Sequence, residues 1–188
     1  VLDDNSRPYF IDHATALATD FDWRQRNIGI TGHVLGTRLE GSREALDLIQ
    51  TSSTHYMQRP DGYHLHYDPN RTTLNGWGAE VAGGKFDGTP VRAGVAVRAR
   101  SPGLNPNDLG YMQRADTQLA ETWLDWHLDH PTPIYRSLSF GTGAWIAKTF
   151  GPELTGDGVG LYVSTRLHNN MTVWLWGMRS TQVLDVSL

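Results

Sequence analysis

Five residues near the middle of the chain combine polar and aromatic groups at short spacing: Asn107, Asp108, Arg114, Asp116 and Trp123. Asn107 and Asp108, with Asn105, are residue types that fold back onto loop backbone as Asx-type turns. Arg114 and Asp116 are two residues apart and can pair with each other or tie their loop to a neighbouring wall of strands. Trp123 carries an indole whose flat apolar face can stack on a sugar ring or pack in an interface. These five are the candidate binding set, and they read as a structural anchor before they read as a ligand site.

Other pairings are weaker. His64 and His66 lie at i, i+2, a spacing that puts both on one face of a strand and that metal sites use. His55 or Asp68 would have to supply a third ligand, and two histidines facing water or a lumen is the simpler reading. His127 and His130 fall on opposite faces of their strand. Glu121 and Asp125 share a face, but four residues of strand separate them by about 13 Å, beyond either glycosidase geometry. Asp125 with Arg98 or Arg100 of the preceding strand is a more natural ion pair.

No Gly-x-Ser-x-Gly elbow occurs, and a chain without cysteine has neither a thiol nucleophile nor a thiolate metal site. Gly83-Gly84-Lys85 lacks the rest of a phosphate loop. Asp68-Pro69-Asn70 and Gly156-Asp157-Gly158 read as turns before calcium sites. The expectation is therefore no catalytic residue, no metal and no cofactor. A net charge of −4 and a pI near 6.0, with arginines scattered along the chain, also argue against nucleic acid as a partner.

The elements that would position these residues are strands. Val91–Arg100 alternates most clearly, with Val91, Ala93, Val95, Val97 and Ala99 on one side and Arg92, Gly94, Ala96, Arg98 and Arg100 on the other. The same alternation marks Tyr9–Trp23 (a strand pair or one long strand), Asn27–Leu39, Tyr63–Tyr67 and Thr73–Phe86. It returns after the central loop, where Ala120, Thr122, Leu124, Trp126 and Leu128 oppose Glu121, Trp123, Asp125 and His127. Ile134–Thr149, Val159–Asn169 and Met171–Ser180 complete the series. Ser42–Gln50 is the one helical signal, with Ser42 placed to cap it and too few residues to stand alone. Asp87–Gly88 and Asn169–Asn170 suit tight turns.

Eight or nine strands without helical crossovers predict an all-β antiparallel up-and-down sheet. The loop Ser101–Asp116 interrupts it, and Leu104, Leu109, Tyr111 and Met112 imply that this loop packs on something.

Two architectures share that pattern. In a β-sandwich the apolar faces meet each other, while in an outer-membrane barrel they meet lipid and the polar faces line a lumen. The strands approach the 9–11 residues or so that cross a bilayer at a tilt. The polar faces carry Gly, Ser, Thr and Ala with Arg, His and Asp, and Lys85 and Lys148 sit near strand ends. Tyr9, Trp23, Phe86, Tyr135 and Phe150 gather where interfacial girdles would fall. A mean hydropathy of −0.42 is no objection, because only alternate residues of such a barrel are apolar. The barrel is the favoured expectation, with a soluble β-sandwich carbohydrate-binding module as the alternative.

The region Gly88–Ser180 resembles a bacterial domain-of-unknown-function family. Its members join an N-terminal carbohydrate-binding-like domain of the family-nine type to a C-terminal outer-membrane β-barrel. The resemblance rests on the strand ending Val97–Arg100, on Ser101-Pro102-Gly103, on Asn107-Asp108-Leu109-Gly110-Tyr111 and on Gln113-Arg114-Ala115-Asp116. The Trp-containing strand that follows and Asn169–Trp176 also look similar. The resemblance implies a Gram-negative outer-membrane location, a lipid bilayer as partner with glycan or another envelope solute as a further one, and no settled activity. It also implies a barrel larger than this chain, so that residues 1–188 form a single barrel region, read as a fragment. The missing upstream domain and the lack of a terminal aromatic depart from the family pattern.

Overall fold

Period-two alternation produces eight strands, and each runs antiparallel to the next. The computed structural model describes residues 9–88, 90–106 and 111–182. Its strands are β1 (Ile11–Gln25), β2 (Ile28–Gly41), β3 (Thr73–Lys85), β4 (Val91–Arg100), β5 (Thr117–Leu128), β6 (Tyr135–Lys148), β7 (Leu154–Leu167) and β8 (Thr172–Gln182), with a helix α1 (Arg43–Thr51) between β2 and β3. They form one sheet in the order β1 to β8, which is not closed, so β1 and β8 are its edges. An open meander of this kind is compatible with a segment of a barrel.

The all-β, up-and-down expectation is met, with two adjustments. Tyr9–Trp23 resolves into one long strand. Tyr63–Tyr67 is not a strand but part of the loop after α1. Turn-forming neighbours, Pro60-Asp61-Gly62 before it and Asp68-Pro69-Asn70 after it, leave it no partner to pair with. Its alternation does not follow burial: Leu65 is buried, whereas Tyr63 and Tyr67 are exposed, and Tyr67 donates to Asp47 Oδ1 at 2.6 Å.

Helix α1 starts where its sequence says. Ser42 Oγ accepts from the Ala45 amide at 3.1 Å, and Glu44 lies in the first turn. Nine residues do not hold a helix in water. Its buried Leu46 and Ala45 pack with Leu39 of β2, Leu74 of β3 and Met57, and full burial of a leucine contributes about 2 kcal/mol.

The β1–β2, β3–β4, β5–β6 and β7–β8 connections lie at one end of the sheet, and the two long loops 42–72 and 101–116 lie at the other with the short connection 149–153. Arg26 (φ 55°), Gly88 (φ 77°) and Asn170 (φ 66°) take the left-handed turn conformations at the short end.

Directly paired residues share a face, so the register sorts the sheet into two sides. One carries Phe21, Ile30, Val34, Val81, Val95, Val97, Leu124, Phe140, Ile146, Val159, Leu161 and Leu175. The other carries Glu80, Arg98, Glu121, Asp125, His127, Ser139, Ser164 and Arg166, together with Leu35, Leu39 and Leu74 near the long-loop end. The second layer lies on this polar side. Besides α1, the loop 101–116 seats Leu104, Met112 and Ala115 against Leu35. Asn105 N donates to Thr37 Oγ1 at 3.1 Å, and Leu104 crosses so close to Gly76 that a Cβ there would stand 2.0 Å from its amide nitrogen. The expectation that the loop packs on the chain is met at Leu104 and Met112, whereas Tyr111 is exposed and Leu109 lies outside the described residues. On the apolar side nothing lies over the sheet among the described residues, and every residue named there is substantially exposed.

Candidate functional site

Asp116 is the residue on which the long-loop end converges. The last loop residue before β5, it takes a left-handed conformation (φ 52°) that aspartate tolerates better than most residues. Its side chain is 2% exposed. Oδ2 accepts from Arg59 Nη2 at 2.8 Å and lies 2.8 Å from His64 Nε2. Oδ1 accepts from the Phe150 amide at 2.9 Å. One carboxylate thus ties together all three connections at this end. Of the two readings left open for Asp116, the structure has it tie its loop to neighbouring segments, with the guanidinium coming from Arg59.

The surrounding groups extend the clamp. Glu153 Oε2 lies 3.7 Å from His64 Nδ1. The Thr149 hydroxyl donates to the same carboxylate at 2.6 Å and holds the Glu153 carboxyl below its usual pKa. His55, buried beneath the central loop, places Nε2 3.1 Å from the Leu104 carbonyl. Burial pushes its pKa down, and the Leu104 carbonyl opposes that in part. His64 and His66 therefore do not form a ligand pair. The described residues contain no group of three histidine, aspartate or glutamate side chains arranged to hold a metal. Among the described residues no hydroxyl contacts His64 as a nucleophile would, and the cluster's chemistry is that of a buried, hydrogen-bonded ion pair.

Asn107 and Asp108 lie outside the described residues. Arg114 is half-buried in the same loop. Trp123 lies apart from Asp116, on the polar side of β5. Its indole covers Gly94, where a Cβ would meet the ring at 2.8 Å, and its centroid is 5.8 Å from that of Phe86. The three described candidates thus divide between a loop anchor, Arg114 and Asp116, and the middle of the polar face, Trp123.

That face has its own ion network. Arg98 Nε donates to Glu80 and Arg98 Nη2 to Glu121, both at 2.8 Å, bridging β3, β4 and β5. The expected pairing of Arg98 or Arg100 with Asp125 is corrected by register. Asp125 stands opposite Arg92, six residues along the strand from Arg98, and accepts from the Tyr162 hydroxyl at 2.8 Å. His127 Nδ1 lies 2.9 Å from Ser139 Oγ. Under the central loop a cavity of about 160 Å³ is lined by His33, Glu80, Arg98, Arg100, Leu104 and Met112.

Sequence reasoning missed Arg59 and the Phe150 amide, whose contacts with Asp116 leave no local signal. It also passed over Trp145, Trp174 and Trp176 as individuals, and strand register places all three on the polar side with Trp123. Comparisons with family models, with curated proteins and with solved structures return no match for this chain.

Proposed function

We propose that the chain is part of a bacterial outer-membrane β-barrel whose apolar side meets lipid and whose polar side lines a lumen that handles a glycan or another envelope solute. One observation carries this reading: the helix and loops cover the polar side of the sheet and leave the apolar side bare. A soluble domain does the reverse, because covering apolar surface is what stabilises it. About twenty large apolar side chains on that side, from Leu17 on β1 to Leu175 on β8, are 37–79% exposed. At about 1 kcal/mol each, leaving them in water forgoes ~20 kcal/mol, which exceeds the 5–15 kcal/mol or so by which most domains are stable.

The bare side also has the dimensions of a membrane band. Its apolar positions run over Ile28–Gly36, Val91–Ala99, Ala120–Leu128, Leu138–Ile146 and Val159–Leu167, about nine residues each, close to the number that spans a bilayer at a tilt. That is ~26 Å along a strand and ~20 Å in height at the usual tilt. Beyond the band on the same side come Arg38, Glu40, Asn75, Gln118, Lys148 and Asp157. Trp126 stacks on Phe140 near the short-turn end, and Trp77 meets Phe150 edge-on at the other, as interfacial girdles do. The helix α1 is too short to cross a membrane, so strands would do the crossing.

In hydrocarbon the edges of β1 and β8 must be paired. An eight-stranded barrel encloses little more than side chains, so the loop layer on the polar side favours more strands than eight. The resemblance carried by Ser101–Asp116 leads to the same place. Flotation tests the reading: the chain folded in detergent and mixed with lipid vesicles is expected to float with them. A monodisperse monomer in detergent-free buffer with a cooperative melt would refute it.

A further inference from the structure

Most glycines on the polar side lie beneath an aromatic ring or a crossing backbone. A Cβ on Gly94 would strike Trp123, one on Gly158 would strike Trp145, and one on Gly141 would strike Tyr162, all within 2.8 Å. Gly143 and Gly160 differ. They are direct partners across β6 and β7, neither has a positive φ, and no side chain lies above them. A Cβ on Gly143 would meet only the Thr122 carbonyl at 3.3 Å, and one on Gly160 only the Gly177 carbonyl at 3.7 Å. The fold would accept small side chains at both, so their effect is to keep the surface above them low.

What rises around this floor is aromatic. The cross-strand row runs Trp123, Gly143, Gly160, Met178, and the next row runs Asp125, Gly141, Tyr162, Trp176. Together they bound an open trough of about 470 Å³ whose one charged lining group is Asp125. Trp174 and Trp176 stand 57% and 62% exposed on the β8 side, ring centroids 6.0 Å apart and planes inclined by 33°. Neighbouring indoles at this inclination form a platform, not a cage closed around one point.

We propose that this trough is a binding subsite for a neutral oligosaccharide. Pyranose rings would lay their C–H faces on the indoles, and their hydroxyls would donate to the Asp125 carboxylate and exchange hydrogen bonds with Tyr162. Asp125 is balanced by Arg92 opposite it on β4, which leaves no net charge to select an acidic glycan, and the splayed platform disfavours a compact quaternary ammonium ion, which needs rings on several sides. The proposal gives a ligand class to the polar side of the proposed barrel and rests on that reading for its lumenal setting. The trough itself does not depend on which solvent meets the opposite side.

The test is calorimetric titration of the full chain, folded in a detergent without a sugar headgroup, with maltohexaose, cellohexaose, xylohexaose and chitohexaose. Polygalacturonate and choline serve as probes of the rejected classes. At least one neutral hexasaccharide is expected to bind. Trp176→Ala should weaken it fivefold or more, and Gly160→Leu, which fills the trough, should abolish it. Trp126→Ala, on the apolar side, should leave it unchanged. Circular dichroism and size exclusion check that each variant keeps its strands, and Gly143→Ser reads the same floor with a smaller perturbation. Binding of choline or polygalacturonate alone, no binding of any probe, or binding that survives Gly160→Leu would overturn the site. If the chain proves monodisperse without detergent while the trough variants still lose sugar binding, the subsite stands and the membrane setting falls.

Discussion

Asp116 and Arg59 are 57 residues apart in sequence, and their side chains, 2% and 3% exposed, meet at 2.8 Å. A buried ion pair is weak evidence for stability, but removing one partner strands the other charge at a cost of about 3–5 kcal/mol. Asp116→Ala should therefore release the three connections it links together and leave the strands paired. Limited proteolysis would then cut within 52–72 and 101–116 much faster than in the parent chain, with the circular-dichroism strand signal retained. Asp116→Asn, which keeps the left-handed backbone and one acceptor, should fall between. Cleavage rates equal to those of the parent would show that Asp116 does not hold the loops.

His55 gives the loop layer a pH dependence of known sign. Its pKa in the folded chain is lowered, chiefly by burial, so the unfolded loop takes up a proton more readily than the folded one. The stabilisation is complete above the ordinary histidine value of about 6.5 and is lost as pH falls through the lowered folded value. Protease protection of 101–116 should decline across that window, and His55→Gln should flatten the profile. Glu153, also lowered, has the usual carboxylate dependence and should add a second loss at more acid pH.

The alternation of polar and apolar residues made the strands, their number and their two sides legible in the sequence, and Ser42 made the helix start legible. What the sequence concealed was contact across distance. Nothing near Asp116 says that Arg59 and the Phe150 amide will meet it, because those contacts exist only once β2 to β6 have stacked in register. The Tyr63–Tyr67 alternation misled for the opposite reason: five residues can alternate without a buried face, since only Leu65 is buried while Tyr63 and Tyr67 are exposed, and the segment has no strand to pair with. The hydrophobic pattern also left open which side the second layer would cover, the fact on which the functional reading turns.

Gly76 and Gly36 offer a contrast within one sheet. The backbone of Gly103 and Leu104 passes over Gly76 on the polar side, whereas nothing lies within 4 Å of a Cβ on Gly36 on the apolar side. Gly76→Val should displace the central loop and destabilise the chain by about 2–3 kcal/mol or more, as overpacking does. Gly36→Leu should be tolerated and should strengthen vesicle association by burying one more leucine, about 2 kcal/mol. Equilibrium unfolding in urea from vesicles measures both. A destabilising Gly36→Leu would mean that something covers the apolar side.

The most direct test of the account is a nitroxide scan along β4, which the absence of native cysteine makes simple. Single cysteines at residues 91–100, spin-labelled in reconstituted bilayers, report accessibility to oxygen in the lipid and to a water-soluble nickel complex. Oxygen should win at 91, 93, 95 and 97 and the nickel complex at 92 and 98, while 94, beneath Trp123, and the buried 96 should be closed to both. Uniform exposure to the nickel complex, or odd positions closed to both reagents, would contradict the placement of the apolar side against lipid.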